Sequence, residues 1–172
     1  MSAIALRFAP NGAKSGQRRI QSIHDAAAPR ALETMHRRRS GPEDLLAFRD
    51  GKKWRDVRSD EINGYIHEKI GEEFTAKGFR TWHGTVLAAV ELAGEQPPSS
   101  EAAAKWAIKR AVDQVSDALG NTPAVCRASY VDPRVLDRYR DGVTIAPPAS
   151  TKGRMTTKRR WQIEREVIDL VS

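Results

Sequence analysis

The stretch that organises this chain is Gly120-Asn121-Thr122-Pro123-Ala124-Val125-Cys126-Arg127-Ala128-Ser129-Tyr130-Val131-Asp132-Pro133. Gly120 follows a long segment of helical periodicity and stands where a left-handed residue would close a helix. Thr122-Pro123 restarts one, with a hydroxyl to cap it and a proline at the first helical position. Asp132-Pro133 repeats that signal. A short helix therefore lies between two start signals, with Asn121 just before it and Tyr130 at its end.

Working outward, the flanks are mainly helical. Downstream, the second short helix runs to Asp141-Gly142. Upstream, Ser100 caps a long helix whose Ile108, Val112, Val115 and Leu119 share an inner face. Thr75 caps another, in which Phe79, Trp82, Val86 and Val90 recur at helical spacing and are expected in the core. Ser59 is expected to cap a helix with an apolar stripe of Ile62, Tyr65, Ile66 and Ile70, closed by Gly71. Asp25 to Arg38 reads as a further helix, with Leu32 and Met35 inward. Gly41 to Arg55 reads as a loop with a short extended piece and a turn at Asp50-Gly51. Ala3 to Phe8 and Gln17 to Ile23 alternate as strands of a β-hairpin with a basic tip around Lys14. The expected fold class is mainly α with a small N-terminal β-hairpin. The expected division is 1–146 as a partial catalytic domain and 147–172 as a basic linker and C-terminal amphipathic helix.

Composition narrows the function. The 172 residues carry 29 Lys and Arg against 22 Asp and Glu, a net charge of +7. Such an excess favours a polyanionic partner through phosphate contacts and counterion release. The basic run Arg37-Arg38-Arg39 is either a solvated helix end or a DNA-backbone contact. A single cysteine, Cys126, excludes an intrachain disulfide and a thiolate metal cluster. No apolar run is long enough for a membrane span, and no signal peptide is recognisable, so a cytoplasmic location is expected. Phosphate-loop, HExxH and GxSxG patterns are absent, and the four histidines are scattered. No metal or other cofactor is expected.

Phosphoryl transfer without a metal needs a nucleophile, fixed donors around the charged transition state, and an acid for the leaving oxygen. Tyr130, Arg80, Asn121 and Lys14 supply those residue types. Arginine suits the donor role because it stays charged and forks onto two oxygens. Lys77 lies one helical turn before Arg80. Each residue also has an ordinary structural reading: Arg80 as a stem covering the core, Asn121 as a turn residue, Lys14 as a solvated tip, and His83 as a helix-face histidine. Cys126 reads as packing.

Three segments, in order, resemble type IB DNA topoisomerases of the bacterial and poxvirus kind. FTAKGFRTWHGT (Phe74 to Thr85) is similar to their KxxRT segment. GNTPAVCRASYVDP has the family's nine positions from the polar residue, Asn121, to the tyrosine. LRFAPNGAKSGQRR (Leu6 to Arg19) is similar to their lysine-bearing hairpin. The resemblance implies a carboxy-terminal catalytic part, with Tyr130 forming a 3′-phosphotyrosyl bond, Arg80 and Lys77 on the scissile phosphate, Asn121 donating to it, and Lys14 protonating the leaving 5′ oxygen. It further implies ATP- and metal-independent relaxation of supercoiled double-stranded DNA by a monomer, with no membrane partner. The helical half of the topoisomerase IB and tyrosine recombinase catalytic fold is expected. The family's further arginine upstream of the hairpin has no counterpart before Ala5, so an amino-terminally truncated enzyme is expected, with activity reduced or lost. A tyrosine recombinase, or an inactive DNA-binding remnant, remains an alternative at this stage. Recombinases carry HxxR where this chain has Lys77 to Arg80.

Overall fold

The computed structural model describes residues 4–8, 19–23, 28–147 and 156–172. It divides into two compact units, Met1–Ala76 and Lys77–Ser172.

In the first unit, β1 (Ile4–Phe8) and β2 (Arg19–Ile23) form the expected antiparallel hairpin, with Ile4 opposite Ile23 and Phe8 opposite Arg19. The Lys14 tip lies outside the described residues. Helix α1 (Ala28–His36) buries Leu32. A second hairpin follows where a loop was expected: β3 (Ala47–Asp50) pairs with β4 (Lys53–Asp56). Its AFRD and KWRD strands lack β-branched residues, so the sequence showed only a short extended piece and the turn. Gly51, at φ 59, begins the two-residue connection, a position that favours glycine.

Helix α2 (Ser59–Ile70) starts one residue earlier in effect than its Ser59 signal suggests. Arg58 is the cap position, and its backbone N–H donates to Glu61 Oε2 at 2.8 Å. The expected apolar stripe of α2 is not buried: Tyr65 is 64% exposed, and no residue of the helix is fully enclosed. Periodicity identified the helix, but burial requires a facing surface, which periodicity does not report.

The second unit is helical. It comprises α3 (Ala76–Ala93), α4 (Glu101–Leu119), α5 (Pro123–Ser129), α6 (Pro133–Arg140) and α7 (Thr157–Val171). The cap signals act as expected: the Ser100 hydroxyl accepts from the Ala103 N–H at 3.1 Å, Thr122 from Val125 at 3.3 Å and the Asp132 carboxylate from Arg134 at 2.9 Å. One apolar core joins the second half of α3, the inner face of α4, Cys126, α6, and Ile163 and Val167 of α7. Phe79 does not join it and is half exposed, because the inward stripe of α3 passes instead through Gly84, Thr85 and Ala88. Helix α4 is tied to α3, where Arg80 donates to the Leu119 carbonyl, and to the loop after α3, where Arg110 forks onto Glu95 at 2.6 and 3.1 Å. No helix among the described residues is long and apolar enough to cross a membrane.

Tyr139 is the largest side chain enclosed in this core, and its hydroxyl donates to the Gln96 carbonyl at 2.9 Å. Tyr139→Phe keeps the ring but leaves that carbonyl short of a donor. The expected cost is about 1 kcal/mol, read as a lower urea midpoint at unchanged slope. An unchanged midpoint would show that the hydroxyl contributes nothing there.

Candidate active site

The site is assembled where α3 passes the end of α4 and the segment that follows it. Helix α4 ends at Gly120, whose φ of 71 and ψ of 46 place it in the left-handed region that glycine enters without a Cβ clash. The N–H groups of Gly120 and Asn121 both return to the Ser116 carbonyl, at 2.9 and 3.2 Å. Leu119's carbonyl is among the last four of the helix, which have no partner within it. Arg80 supplies the donor from α3. A cation at this end of the helix is also favoured by the macrodipole.

The same guanidinium lies over the ring of Tyr130, 5.0 Å from its centroid. Arg80 therefore bridges two elements, the C-terminus of α4 and the residue that ends α5. Its Nε is buried with no hydrogen-bond partner among the described residues. A guanidinium fixed by one nitrogen and stacked on a phenol places a positive charge where an anion could meet that phenol. Lys77 is exposed in the first turn of α3, and its carbonyl accepts from the Thr81 hydroxyl at 3.0 Å. Asn121 is half-buried on the turn directly after Leu119. The structure thus groups Arg80 with Tyr130, and sets Asn121 two residues beyond the carbonyl that Arg80 holds.

The remaining sequence candidates stand in the first unit. Arg38 is taken up locally, donating to the carbonyls of Met35 (2.7 Å), Pro42 (2.6 Å), Leu45 (3.0 Å) and Asp44. It ties the chain after α1 into a closed loop. Arg37 pairs with Glu33 at 2.6 Å, with both side chains well exposed, and Arg39 is exposed. Lys14 is outside the described residues.

Sequence reading overlooked the parts that hold Tyr130 against α3. The Thr81 hydroxyl also reaches the Ser129 carbonyl at 3.2 Å, and the Thr85 hydroxyl accepts from the Asp132 N–H at 3.0 Å. Between them lies Gly84. A Cβ there would stand 2.2 Å from the Tyr130 carbonyl oxygen and 3.1 Å from Leu119 Cδ1. Backbone therefore packs directly on helix at the tyrosine. The signal was present as small residues, Thr81, Gly84, Thr85 and Ala88, on one helical face, a spacing that permits such an approach.

His83 is one turn beyond Arg80. Desolvation lowers its pKa from the ordinary 6.5, the guanidiniums of Arg160 and Arg80 lower it further, and Glu164 opposes them. Both Arg160 and Glu164 belong to α7. Asp132 is likewise held below the ordinary carboxylate value, first by its hydrogen bond from Arg134.

Residues 8–150 match the family described as the catalytic core of eukaryotic DNA topoisomerase I. The chain belongs to that family, which the three sequence segments indicated. The DNA topoisomerase 1B of Acanthamoeba polyphaga mimivirus is 32% identical over 88 residues, covering 49% of this chain and 26% of that protein. The matched stretch thus spans about a quarter of the viral protein's length.

Two outcomes follow from this geometry. Gly84→Ala gains helix propensity of up to about 1 kcal/mol, but forces a methyl into a backbone carbonyl, an overpacking that costs about 1–3 kcal/mol. A net loss of stability is expected, together with a shift of the Tyr130 ring resonance in tyrosine-labelled protein while that of Tyr139 stays in place. An unmoved Tyr130 signal with undiminished stability would contradict the close approach. For His83, the folded-state pKa is below the unfolded one. Its linked stability is highest above pH 6.5 and falls as pH drops from 6.5 through the folded pKa, because the unfolded chain takes the proton first. His83→Gln is expected to flatten the acid limb of stability against pH. An equally steep limb in the variant would place the linkage elsewhere.

Proposed function

We propose that this chain supplies the tyrosine-bearing part of a type IB DNA topoisomerase active site. The observation that carries the reading is the Arg80 guanidinium, fixed at the end of α4 and stacked on Tyr130 with its Nε unpartnered. Residues 1–146 act as a partial catalytic domain, and 147–172 as linker and terminal helix. In this reading α3 to α6 are the helical half of the catalytic fold shared with tyrosine recombinases.

The reaction is a transesterification on one strand of duplex DNA. The Tyr130 hydroxyl attacks a backbone phosphorus and forms a new O–P bond. The bond from phosphorus to the 5′ oxygen breaks, and the phenolic proton is released. Lys14 donates a proton to the leaving oxygen, which departs as a free 5′ hydroxyl. Arg80, with Lys77 and Asn121, binds the non-bridging oxygens, where negative charge accumulates in the transition state. The DNA end remains attached to Tyr130 as a 3′-phosphotyrosine, so the energy of the phosphodiester is retained. Attack by the 5′ hydroxyl reverses the step after strand rotation has relieved supercoiling. The reaction uses neither ATP nor a metal, and the protein acts as a monomer in the cytoplasm, on the nucleoid.

The test is a covalent trap. A duplex with sulfur at the 5′ bridging position has a leaving group that needs no protonation and religates poorly, so the adduct accumulates even where the Lys14 hairpin contributes little. Wild type is expected to form an adduct on Tyr130, identified by peptide mapping, and Tyr130→Phe none, with DNA affinity within about twofold because only a hydroxyl is lost. An adduct of normal yield in Tyr130→Phe, or none in wild type with enzyme in excess, would overturn the assignment.

A further inference from the structure

The terminal helix α7 is docked firmly at one end and charged at the other. Ile163 and Val167 are enclosed in the core. Arg138 Nε donates to the Leu170 carbonyl at 3.2 Å, and Glu166 accepts from the Ala146 N–H at 3.1 Å. These contacts hold the helix in a defined place. Its first turn, capped by Thr156, carries Lys158, Arg159 and Arg160 and no acidic residue. That arrangement opposes the macrodipole, which disfavours cations at a helix N-terminus. None of the three forms an ion pair among the described residues; Arg159 donates only to the Gln162 side-chain oxygen at 3.2 Å. By contrast, the cations of α4 are neutralised: Lys105 by Glu101, Lys109 by Asp113 and Arg110 by Glu95.

Next to this run, Trp161 is 71% exposed, more than any other large apolar side chain described. The position of the turn is also defined. Arg160 and Glu164 both act on His83, which Arg80 likewise reaches. Of the three cations, Arg160 is thus within electrostatic reach of the turn of α3 that follows Arg80.

We propose that the first turn of α7 is a second DNA-backbone contact surface, in which Lys158, Arg159 and Arg160 bind duplex phosphates other than the one held by Arg80. It rests on the DNA reading given above and adds a separate element to it. The physical case is charge complementarity at a fixed place: the helix carries three cations against its own dipole, and a polyanion relieves that cost. Trp161 adds an apolar plane beside the phosphates, able to pack on deoxyribose. Since phosphates are alike along a duplex, this contact positions the protein and raises affinity without reading sequence.

The experiment compares the full chain with two triple variants on a duplex of mixed sequence, by fluorescence anisotropy over a range of salt. One variant is K158Q/R159Q/R160Q. The other, K105Q/K109Q/R110Q, removes the same charge from α4. Each phosphate contact adds about 0.9 to the slope of log affinity against log salt. The α7 variant is expected to lose about two to three from that slope and to bind about tenfold or more weakly at low salt, while the α4 variant changes far less. The thermal midpoint of the α7 variant should equal or exceed that of wild type, because the cations it lacks oppose the dipole. Equal losses in both variants would mean that net charge, not this surface, sets binding, and would overturn the proposal. So would an unchanged slope in the α7 variant. Wild type without salt-dependent DNA binding would instead remove the underlying reading.

Discussion

Helix α3 meets the chain around Tyr130 without a side chain between them. At Gly84 the helix surface is backbone, and the Tyr130 carbonyl occupies the space a methyl would need. Thr81 and Thr85 flank the contact and hydrogen-bond to Ser129 and Asp132. These three residues set the distance between the helix that carries Arg80 and the segment that carries Tyr130. If that distance widened, the stacking of guanidinium on phenol would be lost, although no core residue had changed.

The electrostatics of the site depend on the same approach. Arg80 projects from α3 to the exposed carbonyl at the end of α4, where the helix dipole favours a cation. That bond orients the guanidinium and spends only part of its donor capacity. The left-handed turn at Gly120 brings the chain back to start α5 directly, so that Asn121, the cap Thr122 and Tyr130 all follow within one short excursion. Structural and chemical roles of Arg80 therefore coincide: the bond that ties α3 to α4 also holds the guanidinium over the Tyr130 ring.

Charge is distributed unevenly over the second unit. On α4, cations are matched by carboxylates on the same helix or by Glu95, and they contribute little field of their own. On the first turn of α7 they are unmatched among the described residues, and one of them, Arg160, adds to the desolvation that lowers the pKa of His83. The overall +7 of the chain thus understates the local contrast. An excess of cations informs about partners only when their positions are known.

Local signals in the sequence determined much of this protein. Ser100, Thr122-Pro123, Asp132-Pro133 and Gly120 act through adjacent backbone, so their helix boundaries could be read directly, and the spacing of Asn121 and Tyr130 with the KxxRT segment marked the family. The β3–β4 hairpin was missed because its strands lack a β pattern of their own and are held by pairing. Tertiary structure alone decided the rest. The stripe on α2 and Phe79 of α3 have helical spacing yet are exposed, since burial needs a facing surface. Arg38, for which a solvated helix end and a DNA contact were both open in the sequence, donates to four carbonyls of its own loop. The role of Gly84 is set by the Tyr130 carbonyl that packs against it. Periodicity and capping are properties of neighbours along the chain, whereas close approach, stacking and unmatched charge are properties of segments that meet only on folding.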